Sequence, residues 1–286
     1  MKIGCIIQAR SGSSRLPNKV LLPLPNNGEK SVLEWVVERV KNSKLIEEII
    51  IATTDNAKDD KIVALSQKMD ILCYRGSENH VLSRYFEAAK ANNLDIIVRI
   101  TSDCPCIDWQ IIDQLITNHI ENDNDYTSNT LVRSFPHGLD AEVFNFEVLK
   151  EANECATLQS EYEHVTPYIY KTKAEKFKIQ SVEAKAKERN PNIRVTLDTK
   201  EDYLALCALF HEYSNTVFTC QDIIETYQLL PWLSHINSNI HQKKVCSSIE
   251  EELDEIVKLG KKQDLHRMVS FLEGVKKDGL ECSNYN

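Results

Sequence analysis

Apolar runs alternate with amphipathic stretches over the first half of the chain. IGCII (3–7), EEIIIAT (47–53), ILCY (71–74) and DIIVRIT (95–101) are short runs rich in Ile and Val. Such runs suit strands covered on both faces of a parallel sheet. Between them, SVLEWVVERVKNS, DDKIVALSQKM, VLSRYFEAAKAN and DWQIIDQLITNHI place apolar residues at helical spacing. The first of these opens with Ser31 and Glu34, the spacing of a capping box. The βαβα order predicts an α/β fold, a doubly wound, mostly parallel sheet flanked by helices.

After about residue 125 the pattern changes. VFNFEVL from 143, KFKIQSVEA from 176 and IRVTLD from 193 are strand candidates, mixed with helices over 158–171 and 200–213. They predict an α+β continuation with an antiparallel element, making the sheet mixed. From about 219 the chain reads as helical and polar, through CQDIIETYQLL to SSIEEELDEIVKLGKKQDLHRMVSFLEGV. We therefore expect one large domain over 1–240 and a helical C-terminal extension over 241–286.

Composition narrows the functional classes. The net charge of −9 argues against general attraction to nucleic acid or to an anionic membrane surface. No apolar stretch is long enough to span a bilayer, and no secretory signal stands out. Nine cysteines are scattered, several inside apolar runs, as in IGCII and DILCY. They read as reduced, buried residues of a cytoplasmic protein. Cys104 and Cys106 flank Pro105 beside Asp103, but no pair or ligand spacing resembles a zinc site.

Against this acidic background one loop stands out. QARSGSSRLPNK, Gln8 to Lys19, follows the first predicted strand and holds Arg10, Arg15, Lys19, three serines and Gly12. Ligands of open α/β sheets bind beyond the carboxyl ends of strands. Forked guanidinium donors, a mobile ammonium and hydroxyls together match a polyphosphate. Gly12 would allow close approach of the backbone or a positive φ. Neither G-x-x-x-x-G-K-[ST] nor G-x-G-x-x-G occurs there, which weighs against a P-loop NTPase or a dinucleotide enzyme.

QARSGSSRLPNKVL resembles the A-R-x-x-S-x-R-x-P-x-K signature of the CMP-sugar-acid cytidylyltransferases. That group includes the 3-deoxy-manno-octulosonate and acylneuraminate enzymes; the nearer likeness is to its spore-coat polysaccharide (SpsF-type) branch. The likeness continues through IIIATTDNAKDD, YRGSENHVLSRYFEAAK, VRITSDCPCID, FPHGLDAEVF, SEYEHVTPYIY and RVTLDTKEDY, in order, over about residues 1–240. It implies a nucleotidyltransferase fold of the glycosyltransferase-A type. It also implies Mg²⁺-dependent transfer of CMP from CTP to an acidic acceptor, with release of pyrophosphate.

The resemblance carries roles residue by residue. Arg10, Ser11, Gly12, Ser13 or Ser14, Arg15 and Lys19 would hold the triphosphate, with Gln8 and Ala9 near cytosine and ribose. Arg75, Ser77 and Arg84 would contact the base, although Arg84 also reads as a solvated helix arginine. Asp103 and Asp198 would meet Mg²⁺; on spacing alone Asp198 reads as an N-cap. Arg10, Lys19 and Asp103 would carry the chemistry. His137, Asp140, Glu142, Glu161, Glu163 and His164 would face the acceptor, with Asn129 and Arg133 just upstream. The implied partners are CTP, a small acidic acceptor and a second copy in a homodimer, in surface-glycan synthesis. The alternative is a glycosyltransferase using a nucleotide sugar, for which Asp123–Asn124–Asp125 supplies a D-x-D sequence that itself reads as a solvated turn.

Overall fold

The computed structural model describes residues 1–213, 217–240 and 248–277. They fall into two compact units, divided after Ile240. In the first, β1 (Ile3–Gln8), β2 (Glu48–Thr54), β3 (Leu72–Gly76) and β4 (Ile96–Thr101) are parallel. The crossover helices are α1 (Val32–Val40), α2 (Asp60–Lys68) and α3 (Val81–Ala91); α4 (Trp109–Glu121) follows β4. The capping box of α1 forms as its sequence predicts, with Ser31 and Glu34 bonded reciprocally.

The seven strands run in the order β3-β2-β1-β4-β6-β5-β7. β5 (Tyr126–Ser128) and β6 (Glu142–Asn145) supply the antiparallel pairs, and β7 (Ile179–Ser181) lies parallel to β5. The sheet is thus mixed and mostly parallel. Chain order reverses between β1 and β4, so their carboxyl ends, at Gln8 and Thr101, flank a topological switch point. Each face of the sheet is buried. One cluster gathers Ile7, Val36, Leu115, Leu206 and Ile223; the other gathers Ile6, Leu82, Tyr85, Phe144 and Leu149.

The second half departs from the periodicity in four places. VFNFEVL is a strand only to Asn145, where α5 (Phe146–Cys155) begins, because Val148, Leu149 and Ala152 recur at helical spacing and are buried. KFKIQSVEA pairs only over Ile179–Ser181. IRVTLD makes a single bridge, Arg194 to His137, rather than a strand. The expected helix over 158–171 stops as α6 (Gln159–His164), since Val165 adopts φ 73° and Pro167 has no N–H to continue it; a π-helical turn, Tyr168–Thr172, follows. Three further helices close this unit: α7 (Lys200–His211), α8 (Cys220–Leu229) and α9 (Leu233–Ile236).

The second unit is a pair of helices, α10 (Ile249–Lys262) and α11 (His266–Lys277). Lys261 pairs with Glu273 at 2.7 Å, and Lys276 pairs with Asp254. A Cβ on Gly260 would come within 2.8 Å of Val269, so the close approach of the helices depends on glycine there. Among the described residues no helix is long and apolar enough to cross a membrane.

Candidate active site

Three distant segments converge at the switch point. The loop after β1 delivers Lys19, the turn after β4 delivers Asp103, and the segment before α7 delivers Asp198. The Lys19 ammonium donates to Asp103 Oδ2 at 2.7 Å, to the Leu197 carbonyl at 2.7 Å and to Asp198 Oδ1 at 2.9 Å. Arg15 reaches the same Asp198 oxygen at 3.0 Å, and Arg194 reaches the other at 3.0 Å. One carboxylate therefore carries three cations.

Local hydrogen bonds hold this convergence. The Ser11 carbonyl accepts from Ser13 N and Asn18 N, folding the loop back on itself. Asn18 takes φ 56° and starts the short 3₁₀ turn that carries Lys19. The left-handed position of the loop is thus Asn18; Gly12 has no positive φ, and a Cβ there would meet nothing nearer than 3.6 Å. On the opposite wall, Leu197 N donates to the Asp103 carbonyl, tying the two aspartate segments together.

Burial alone would lower the Lys19 pKa, but the neighbouring Asp103 and Asp198 charges more than offset it and hold it above the usual lysine value. Burial likewise opposes ionisation of Asp103, and Lys19 keeps that carboxyl below the usual range. For Asp198 the cations win over burial decisively, lowering its pKa from 3.8 to about 2. A carboxylate whose folded pKa is depressed stabilises the protein above its unfolded pKa, and that stability fades as pH falls through the folded value. We expect Asp198 to contribute about 2 kcal/mol at neutral pH, lost between about pH 4 and pH 2. Urea titrations of wild type and Asp198→Asn should converge across that window.

The remaining loop residues divide. Arg10 is half-exposed and pairs with Glu78 at 3.6 Å; Ser14 is exposed. Ser13 turns its hydroxyl back toward Leu16 N. Ser11 is buried, and Ala9 is buried within the sheet edge. Gln8 accepts from Arg99 at 3.1 Å. Arg75 pins the turn after β2, donating to the Thr54 and Asn56 carbonyls and pairing with Asp60 at 2.7 Å. Arg84 is 2% exposed, so it is not the solvated helix arginine that its sequence position allows; it donates to the Ser77 carbonyl.

The acceptor-side candidates separate into two groups. Arg133 grips Asp140 through two bonds of 2.6 and 2.9 Å, and His137 lies 3.7 Å from the same carboxylate. His137 Nδ1 faces an Arg194 N–H at 3.1 Å and must accept it, which places any ring proton of the neutral imidazole on Nε2. Burial lowers the His137 pKa. This group touches Asp198 through Arg194. Gly138, at φ 112°, packs against the 195–196 backbone and has no room for a Cβ.

The other group is a buried network. Glu142 pairs with Arg99 and accepts from Tyr126 at 2.7 Å and from Thr166 at 2.9 Å. Asn129 bonds the Leu139 carbonyl and Ala141 N, so its amide shapes a loop. Glu161 caps α6 through Thr157 N and Leu158 N. Glu163 is exposed, and His164 is half-buried with its pKa lowered by burial. Cys104 and Cys106 are buried, the latter thiol pushed up to about 12. Asp123–Asn124–Asp125 lies at a turn with Asp123 exposed and Asp125 half-buried, while Asn124 between them is buried and bonds Thr127 and Gln180. It precedes β5, at the sheet edge opposite Lys19.

Sequence reasoning missed Arg194, Asp202 and Asp59. Arg194 donates twice to the fully buried Asp202, at 2.8 Å each. Both residues sit inside RVTLDTKEDY, where the i and i+8 spacing gives no sign of a pair because the segment is extended before α7 starts.

Comparison with known proteins adds a family. A family model described as cytidylyltransferase matches residues 4–273, so the match runs past residue 240. An uncharacterized protein of Methanocaldococcus jannaschii is 39% identical over 243 residues, 85% of this chain and 97% of its own. A spore coat polysaccharide biosynthesis protein of Bacillus subtilis is 37% identical over 212 residues, 72% and 85% of the two chains. A solved cytidylyltransferase structure from Leptospira borgpetersenii superposes with TM-score 0.77 at 35% identity, covering 85% of this chain and 100% of the other. The fold is therefore that of the nucleotidyltransferases.

Proposed function

We propose a reaction from one premise: this chain belongs to the cytidylyltransferase family and is a nucleotidyltransferase. The reaction is transfer of CMP from CTP to a sugar acid or related acidic acceptor, with pyrophosphate leaving. Its setting is surface-polysaccharide synthesis, which the Bacillus subtilis relative's name supports. The observation that carries it is the meeting of Lys19, Arg15, Asp103 and Asp198 at the switch point. Attack at the α-phosphorus builds negative charge on its oxygens and on the departing pyrophosphate, and fixed cations stabilise that charge. Lys19 serves the α-phosphate and the bridging oxygen. Arg15 and the half-exposed Arg10 serve the β- and γ-phosphates.

The residues present also fit a divalent cation. Asp103 Oδ2, Asp198 Oδ1 and the Leu197 carbonyl all lie within 2.9 Å of one cationic atom, Lys19 Nζ. An all-oxygen set of this kind suits Mg²⁺, with Asp103 and Asp198 as its protein ligands. The ion when bound supplies Lewis-acid stabilisation of phosphate charge. On the acceptor side we assign Arg133, His137 and Asp140, whose half-buried guanidinium and paired carboxylate suit a carboxylate- and hydroxyl-bearing sugar. The glycosyltransferase alternative gains nothing, since its D-x-D sequence lies at the far edge of the sheet. A pyrophosphate-release assay across a panel of sugar acids tests the reading. Release should require CTP and an acidic acceptor together; sugar-nucleotide turnover without any CTP-dependent release would contradict it.

A further inference from the structure

Asp59 is an anion placed directly beneath a loop that holds three cations. It lies just before α2, at 3% exposure. One of its oxygens accepts from Ser11 N at 2.7 Å and from Ser11 Oγ at 2.6 Å; the other accepts from Thr54 Oγ1. Burial would favour the neutral acid, yet these donors keep the carboxyl below its usual range. The Ser11 carbonyl, in turn, gathers Ser13 N at 2.9 Å and Asn18 N at 3.0 Å. All the hydrogen-bonding groups of Ser11 are therefore engaged, and the residue next to Asn18 is Lys19. The chain of contacts runs from Asp59 through Ser11 and Asn18 to the ammonium at Asp103 and Asp198.

We infer that Asp59 is a positioning residue for nucleotide binding, acting through Ser11 to preorganise the triphosphate loop. The inference rests on the reading of that loop given above. Electrostatics and geometry predict opposite signs here, which makes the role testable. Asp59 is a negative charge under a site for a polyanion, so by Coulomb's law alone its removal would tighten CTP binding. As the anchor of the loop, its removal would loosen Lys19 and Arg15 and weaken binding through lost preorganisation. Asparagine keeps an oxygen that can accept both Ser11 donors, so it removes the charge and spares the anchor; alanine removes all three acceptances.

The experiment is calorimetric titration of the full chain with CTP, comparing wild type, Asp59→Ala and Ser11→Ala. Calorimetry reads affinity and the number of competent sites separately. We expect Asp59→Ala to weaken the CTP dissociation constant about tenfold at unchanged stoichiometry, and Ser11→Ala, which keeps the backbone bond, to weaken it less. Equal or tighter binding by Asp59→Ala overturns the inference. So does a drop in stoichiometry at unchanged affinity, which would mark Asp59 as scaffold alone. Absence of CTP binding by the wild type would instead refute the proposed reaction.

Discussion

Lys19→Ala should lower turnover about a thousandfold while leaving a folded protein. Removing one donor aimed at developing oxyanion charge typically removes about 3–4 kcal/mol of transition-state stabilisation. Among the described residues Lys19 is the one cation paired with both Asp103 and Asp198, so its loss leaves two carboxylates facing each other with less neutralisation. Arg15 and Arg194 remain on Asp198, and the pair is not sealed from water. The stability loss should therefore stay at about 1–3 kcal/mol, within the margin of a typical domain. Steady-state kinetics beside a urea titration separate the two effects. If both fall together, Lys19 is a structural tie between segments. Adding Asp103→Asn should restore stability by relieving the carboxylate repulsion and leave turnover low.

Arg194→Met should produce the largest loss of stability. Arg194 is 8% exposed and Asp202 is fully buried. Asp202 keeps Asn237 and the Asp198 and Thr199 backbone N–H groups, but loses the cation it is paired with. Leaving one buried partner uncompensated costs about 3–5 kcal/mol. For a unit of this size that corresponds to a melting point lower by roughly 10 °C. Thermal unfolding of Arg194→Met, with Arg194→Lys as a partial rescue, checks it. A change within 2 °C, on the order of 0.5–1 kcal/mol, would show that the Asp198–Arg194–Asp202 line contributes little.

The first half of the chain was legible because its signals are local and repeated. Four apolar runs, three of them buried and the fourth the partly exposed edge strand β3, separated by helical spacing, gave the parallel core with its elements nearly in place. The second half was harder, since its strands are three or four residues long and their pairing is non-local. β5 offers only Tyr126–Ser128, too short for periodicity, and β6 yields to a helix after Asn145. The cationic loop stood out as a candidate anion site through composition alone. What it could not announce was partnership. Lys19 and Asp198 lie 179 residues apart, and only the order of strands brings them together. The same holds for Asp59 under Ser11. The acceptor side shows the reverse failing: Asn129, Glu142 and Glu161 carry functional-looking side chains whose atoms are engaged in holding loops and helix ends.

The central claim is that the loop from Gln8 to Lys19 presents CTP for attack at its α-phosphorus. The most direct measurement is a single turnover with CTP labelled at the α-phosphate, run with acidic sugar acceptors and Mg²⁺. The account predicts that the label moves into a new phosphodiester with the acceptor while unlabelled pyrophosphate is released, and that Lys19→Ala slows this transfer about a thousandfold. Label that stays in CTP with every acidic acceptor, while a sugar nucleotide is consumed, would contradict it.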